Sequence, residues 1–191
     1  MDSTLAVATG DRWLQTVLAD FPSFLQDHAS CERKASGAAL SLAAHYPDRP
    51  ALVDAMANLA VEELGHYRDV IRLLIDRGIQ PAPDTRDAYV NALSAVVRGG
   101  RDNYLVDRLL VASVIECRGQ ERFSMIAHAL EDDHLARFYR RIAASEDRHW
   151  QLFLELAHHE CPDADIDGRW EEIVAREADV VQSLKLRPAL H

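Results

Sequence analysis

The chain has 191 residues, of which 48% are hydrophobic and 27% are charged. This composition excludes a disordered or membrane-embedded chain, and the length suits one domain with a substantial core, so we predict a single domain over residues 1–191. Acidic residues outnumber basic ones by 31 to 21, which gives a formal net charge of −10. Because non-specific nucleic-acid binding depends on positive charge, this balance argues against it, although it leaves room for a local basic patch.

The cysteines are few and odd in number: Cys31, Cys117 and Cys161, with no CxxC pair. They argue against a disulfide framework and against a cysteine-rich zinc site. The first residues lack the basic and apolar pattern of a secretory signal, and no apolar run approaches the roughly 20 residues that span a bilayer. The sequence therefore predicts a cytoplasmic protein without a membrane partner.

Glycine and proline fall between long segments that lack the alternating pattern of strands, so we predict an all-α protein. In chain order, the predicted helices cover residues 11–20, 22–46, 49–77, 85–98, 102–131, 132–160 and 167–185. Four of them are long, and short connections join these four into two antiparallel hairpins. The longer stretch between the hairpins is typical of the crossover in a ferritin-like four-helix bundle, with the short helices as additions.

Each long helix carries one glutamate in the middle of a stripe that is otherwise apolar and advances in steps of three and four. These glutamates are Glu32, Glu63, Glu116 and Glu146. Two of the helices add a histidine three residues later, on the same helix face. These histidines are His66 and His149. The two glutamates of each predicted hairpin are 31 and 30 residues apart, so similar hairpins would bring all four carboxylates to one level.

Four buried carboxylates would be costly without compensation, and the four stripes contain no lysine or arginine. Two divalent cations would balance the charge. Four carboxylates and two imidazoles in this pattern are the ligand set of di-iron and di-manganese bundles, and this donor set leaves iron and manganese both open. We therefore predict a di-metal site, with a metal-free structural bundle as the alternative.

Five further residues lie near the predicted ligands. Ala35 and Gly119 stand where the other two long helices carry histidine, and we interpret them as room for an oxygen or substrate cavity. Glu62 is a candidate acceptor for the nearby imidazole, or else a solvated side chain. His28 and Tyr139 lie on the stripes, one and two turns from a glutamate, and are pocket candidates for which core packing is the alternative.

The sequence resembles the MiaE family of non-haem di-iron tRNA hydroxylases in four segments: DHASCERKASGAALSLAAHYPD, LAVEELGHYRDV, LVDRLLVASVIECRGQERF and ASEDRHWQLFLELA. The similarity covers residues 24–157, and the third segment is the most specific to the family. It implies a ferritin-like monooxygenase that uses O2 to hydroxylate the isopentenyl group of 2-methylthio-N6-isopentenyladenosine beside the tRNA anticodon. The six predicted ligands match the iron ligands of the family, which implies two iron ions (Fe2+/Fe3+).

The resemblance also implies two macromolecular partners, the substrate tRNA and an external reductase that donates electrons. A single-stranded anticodon loop could present its modified base to a buried site without melting a helix. Its phosphates would need a local basic surface, for which the candidates are Arg98, Arg101, Lys185 and Arg187. Taken alone, basic residues grouped in this way are typical of solvated helix faces. We expect a monomer or a dimer.

A ferritin-like storage or peroxidase protein, of the bacterioferritin or rubrerythrin type, is the alternative function, since it would need the same six ligands. Storage requires a cage. The rubrerythrin type normally adds an iron domain with CxxC pairs, and the sequence has none.

Overall fold

The computed structural model describes residues 4–191, and this part of the chain contains seven α-helices and no strands. The helices are α1 (Asp11–Ala19), α2 (Phe21–His45), α3 (Pro50–Asp76), α4 (Ala88–Ser94), α5 (Arg101–Ala129), α6 (Asp133–Glu160) and α7 (Ile166–Ser183). The all-α prediction is confirmed, and α4 is the one helix clearly shorter than predicted. None of the helices in this part of the chain has the length and apolarity that a membrane span requires.

Local chemistry explains where the helices begin and end. Asp20, Asp87 and Asp132 each precede a helix and accept hydrogen bonds from backbone N–H groups of its first turn. Pro50 starts α3, where its missing N–H group is not needed. Gly78 follows α3 with a φ of +69°, in the left-handed region that glycine adopts readily. These residues are visible in the sequence, so the predicted ends lie close to the observed ones.

The α2–α3 unit comprises Gln15–Thr85 and Arg187–Leu190. Its two long helices pack together as the predicted hairpin, with Leu25 of α2 and Met56 of α3 fully buried. The Ser36 hydroxyl donates to the Ala60 carbonyl oxygen at 2.8 Å and joins the two helices. Apolar packing along the predicted stripes thus fixes which faces of α2 and α3 meet.

The α4–α7 unit comprises, among the described residues, an N-terminal segment over residues 4–14, Arg86–Leu186 and His191. Helix α5 packs against α6 and also contacts α4 and α7, so it is buried on more than one side. Its buried residues include Leu105 on the predicted stripe but also Val106 and Val114 beside it. The apolar pattern alone therefore does not determine which face of α5 packs against each neighbouring helix. Two buried ion pairs help to fix this orientation.

The first ion pair centres on Asp107 of α5, whose side chain is fully buried. Arg98 donates to it from Nη2 at 2.7 Å, and Arg169 of α7 donates from Nε and Nη2, both at 2.9 Å. Burial alone would raise the pKa of Asp107, but the hydrogen bonds from Arg169 and Arg98 lower it. Arg98, a predicted nucleic-acid contact, thus has a structural partner inside the protein.

The second ion pair joins Arg118 of α5 to Glu177 of α7, and both side chains are fully buried. Arg118 donates from Nε and Nη2 to the two carboxylate oxygens, each at 2.8 Å. The Tyr89 hydroxyl donates to the same carboxylate at 2.9 Å, and Arg118 also donates to the hydroxyl of Thr9 and the carbonyl of Val7. These contacts tie α4, α7 and the N-terminal segment to one point on α5.

We expect Asp107→Asn to destabilise the protein by about 3 kcal/mol at neutral pH, because it leaves two guanidinium groups facing a neutral partner. Since folding lowers the pKa of Asp107, its contribution is fully present above the unfolded pKa of about 4 and is lost as the pH falls through the folded pKa. Denaturant unfolding of both proteins should therefore show a gap in stability that narrows in acid. A gap in the free energy of unfolding that is as large at about pH 3 as at neutral pH would contradict this account.

Candidate metal centre

Three predicted ligands come together in the α2–α3 unit. Glu32 of α2 and Glu63 and His66 of α3 each offer one ligand atom, and these atoms lie within 4.8 Å of one another. The Nδ1 atom of His66 is 3.4 Å from Oε2 of Glu63 and 3.6 Å from Oε2 of Glu32. Both carboxylates are buried, with exposures of 1% and 3%. We call this group the α2–α3 cluster.

The electrostatics of the α2–α3 cluster favour a bound cation. Burial alone would lower the pKa of His66, but the nearby carboxylates of Glu32 and Glu63 raise it to about 10. Burial alone would raise the pKa of Glu32, but its hydrogen bond with His28 and the nearby imidazole of His66 hold it well below its usual range. The surroundings thus favour an ionised Glu32 and a protonated His66, and a metal ion bound at His66 would displace that proton.

The other three predicted ligands come together in the α4–α7 unit. Glu116 of α5 and Glu146 and His149 of α6 offer ligand atoms within 4.8 Å of one another, and we call them the α5–α6 cluster. Glu146 and His149 are buried, at 4% and 2% exposure, whereas Glu116 is partly exposed. The two clusters therefore have the same ligand types, two glutamates and one histidine, but differ in burial.

Both clusters fit a di-metal site by their chemistry. Carboxylate oxygens and imidazole nitrogens are the donors that iron and manganese accept, and neither cluster contains a cysteine. A glutamate and a histidine three residues apart on one helix contribute to each cluster, as the sequence predicts. The structure thus brings all six predicted ligands into two three-residue groups.

The pocket candidates occupy different environments. His28 is fully buried beside Glu32, with Nε2 at 2.6 Å from Oε1 of that carboxylate. Tyr139 is fully buried and stacks on Phe123, with ring centroids 5.7 Å apart, so it packs in the core. Glu62 is partly exposed on α3.

The two small residues also differ. Ala35 is partly exposed, and its neighbour Ser36 is the buried residue at that turn of α2. Gly119 is buried against a predicted ligand, because a Cβ atom there would lie 3.5 Å from Oε2 of Glu146 and 3.8 Å from Cε2 of Phe123. The absence of a side chain at Gly119 therefore leaves room beside the Glu146 carboxylate.

The four predicted nucleic-acid contacts fall into two groups. Arg101, Lys185 and Arg187 are exposed. Arg98 is 44% exposed but binds Asp107. Sequence spacing did not reveal that partner, because a charged pair nine residues apart resembles two solvated side chains.

Substitutions at Gly119 test its contact with Glu146. Gly119→Ala adds only an ordinary van der Waals contact and should stabilise the helix by up to about 1 kcal/mol. Gly119→Leu extends the side chain into the space beside the Glu146 carboxylate and should reduce metal bound per chain. Thermal unfolding and elemental analysis after metal loading measure both effects. Full metal loading of the leucine variant would show that Gly119 does not border the site.

Comparisons with known proteins agree with this picture. A family model described as tRNA-(MS2IO6A)-hydroxylase (MiaE) matches residues 1–191. A "tRNA 2-(methylsulfanyl)-N(6)-isopentenyladenosine(37) hydroxylase" from Pseudomonas putida is 40% identical over 183 residues, which covers 96% of this chain and 89% of that protein. A protein of the same description from Salmonella typhimurium is 34% identical over 132 residues, covering 69% of this chain and 48% of that protein.

Among solved structures, "Protein 43 with aldehyde deformylating oxygenase activity from Synechococcus" matches with a TM-score of 0.92 and 34% identity. The match covers 98% of this chain and 94% of that one. It confirms the predicted ferritin-like all-α class, and the sequence matches confirm the resemblance found in the four segments. The chain belongs to the MiaE family of tRNA hydroxylases.

Proposed function

We propose that this chain is an O2-dependent di-iron monooxygenase that hydroxylates the isopentenyl group of 2-methylthio-N6-isopentenyladenosine next to the tRNA anticodon. The observation that carries the proposal is the pair of clusters, each with two glutamates and one histidine and with Glu116 the one carboxylate that is partly exposed, in a chain of this family. The 40% identity with the Pseudomonas putida hydroxylase supports the choice of substrate.

We assign two iron ions to six ligands: Glu32, Glu63, His66, Glu116, Glu146 and His149. Iron supports oxygen chemistry with the carboxylate-rich ligands found here, which is why we prefer it to manganese for this function. The electrons come from an external reductase. The protein acts as a monomer or dimer in the cytoplasm, where it meets its substrate.

Bound iron supplies the ability to activate O2 with external electrons and to insert one oxygen atom into a C–H bond. The side chains do the rest. Glu63 and His66 hold their donor atoms in place from one face of α3, and Glu146 and His149 do so from α6. Buried apolar residues such as Met56 and Ile142 flank these ligands along the helix and exclude water from them.

A direct test incubates the iron-loaded protein with reductant, O2 and tRNA that carries the unhydroxylated base. Nucleoside analysis by mass spectrometry should show a product heavier by one oxygen atom. Glu63→Gln and His149→Ala should lose iron and product together, because each removes a ligand. Glu155→Gln, which changes an exposed glutamate of α6, is the matched control and should retain both.

The outcomes separate the alternatives. A protein that binds two iron ions but leaves the tRNA unchanged would contradict the substrate, and a parallel incubation with an aldehyde tests the activity named for the structural relative. A protein that binds no iron would contradict the metal centre. A cage-sized assembly that mineralises iron would favour the storage alternative.

A second test concerns the surface that binds tRNA. We propose that Arg101, Lys185 and Arg187 contact its phosphates. Replacing all three with glutamate should weaken tRNA binding and reduce the slope of log affinity against log salt by about 0.7–0.9 for each lost contact. Arg68→Glu with Arg72→Glu on the exposed face of α3 is the control. Equal losses in both variants would show that the proposed surface is misplaced.

A further inference from the structure

We propose that His28 is a positioning residue that fixes the Glu32 carboxylate, so that the α2–α3 cluster binds its metal ion first and more tightly than the α5–α6 cluster. The inference rests on the proposed di-metal site. It predicts that the two clusters, whose ligand types are the same, bind metal ions with different affinities.

The contact between His28 and Glu32 is short and completely enclosed. The His28 side chain has 0% exposure, and its Nε2 atom lies 2.6 Å from Oε1 of Glu32, one helical turn away. Because an ionised carboxylate only accepts hydrogen bonds, Nε2 carries the proton and donates it. The imidazole also stacks on Phe24, with ring centroids 5.9 Å apart, which fixes the plane of the ring.

This hydrogen bond selects which oxygen of Glu32 faces the other ligands. Oε1 is occupied by His28, while Oε2 faces Nδ1 of His66 at 3.6 Å. Breaking the contact would leave a buried donor without its acceptor, and that cost holds the carboxylate in one orientation. Glu32 is thus arranged before a metal ion arrives, and a ligand ordered in advance loses less entropy on binding.

Glu116 of the α5–α6 cluster has no histidine at the matching position of its own helix. Ala112 occupies the position four residues before Glu116, as His28 does before Glu32, and its methyl group offers no hydrogen bond. Glu116 is also partly exposed, whereas Glu32 is buried. Each cluster has two glutamates and one histidine, so the imidazole of His28 is a chemical difference between the surroundings of Glu32 and those of Glu116.

The test is an anaerobic titration of the metal-free full-length protein with Co2+, followed by visible absorption and chelator competition. The parent should bind two ions in unequal steps. His28→Leu should weaken the tighter step by about 10–100-fold and leave the weaker step unchanged. His28→Gln retains an N–H donor and should lie between the two, which also provides a folded variant if leucine is not tolerated.

Ser36→Ala is the matched control. It removes a buried hydrogen bond from α2 one turn after Glu32, and the acceptor of that bond is the Ala60 carbonyl and not a proposed metal ligand. Both binding steps should survive this change, and melting temperatures show whether the variants differ in stability alone. A residue that acted only on stability would move both steps together.

Three results would overturn the inference: two equal steps in the parent, unchanged steps in both His28 variants, or the same loss in Ser36→Ala. Failure of the parent to bind cobalt would overturn the metal centre itself. Unequal steps that depend on His28, in a protein that leaves tRNA unmodified, would support the inference while contradicting the proposed substrate.

Discussion

The cost of removing carboxylates from water is the constraint on which this structure depends. Five carboxylate side chains are buried within residues 4–191: Glu32, Glu63, Asp107, Glu146 and Glu177. Asp107 and Glu177 are neutralised by arginines, which hold their charge permanently and tie helices together. The other three lie in clusters with histidines, where a proton or a metal ion can supply the positive charge. Arginine side chains thus neutralise the buried carboxylates that join helices, whereas a proton or a metal ion can neutralise the carboxylates of the two clusters.

Much of the fold and the ligand set could be predicted because both depend on local spacing. Long apolar stripes with steps of three and four identify the helices, and a glutamate in such a stripe is conspicuous. The burial of Arg118 was not predictable in this way, since its partner Glu177 lies 59 residues away and an arginine on a helix resembles a solvated side chain. For the same reason the ion pair between Arg98 and Asp107 was not predicted from the sequence, which offered Arg98 as a candidate nucleic-acid contact.

The segment that is most specific to the family contains residues with structural roles beside residues of the predicted metal site. Arg118 and Glu121, both in IECRGQERF, hold α7 and the N-terminal segment rather than a ligand of the metal site. The same segment contains Glu116, a member of the α5–α6 cluster, and Gly119, which lies beside Glu146. Helix α5 therefore carries both predicted metal-site residues and residues that anchor other parts of the α4–α7 unit.

The attachment of the N-terminal segment to α5 has a consequence for the order in which the protein folds. Thr9 binds Glu121, and the two are 112 residues apart in sequence. During synthesis this segment is made before α5, so its docking site does not yet exist when it leaves the ribosome. The contacts of the α2–α3 hairpin are local, so that hairpin can form early, whereas closing the long loop to α5 costs more chain entropy. A segment that is made before α5 therefore reaches its native position only after α5 has formed.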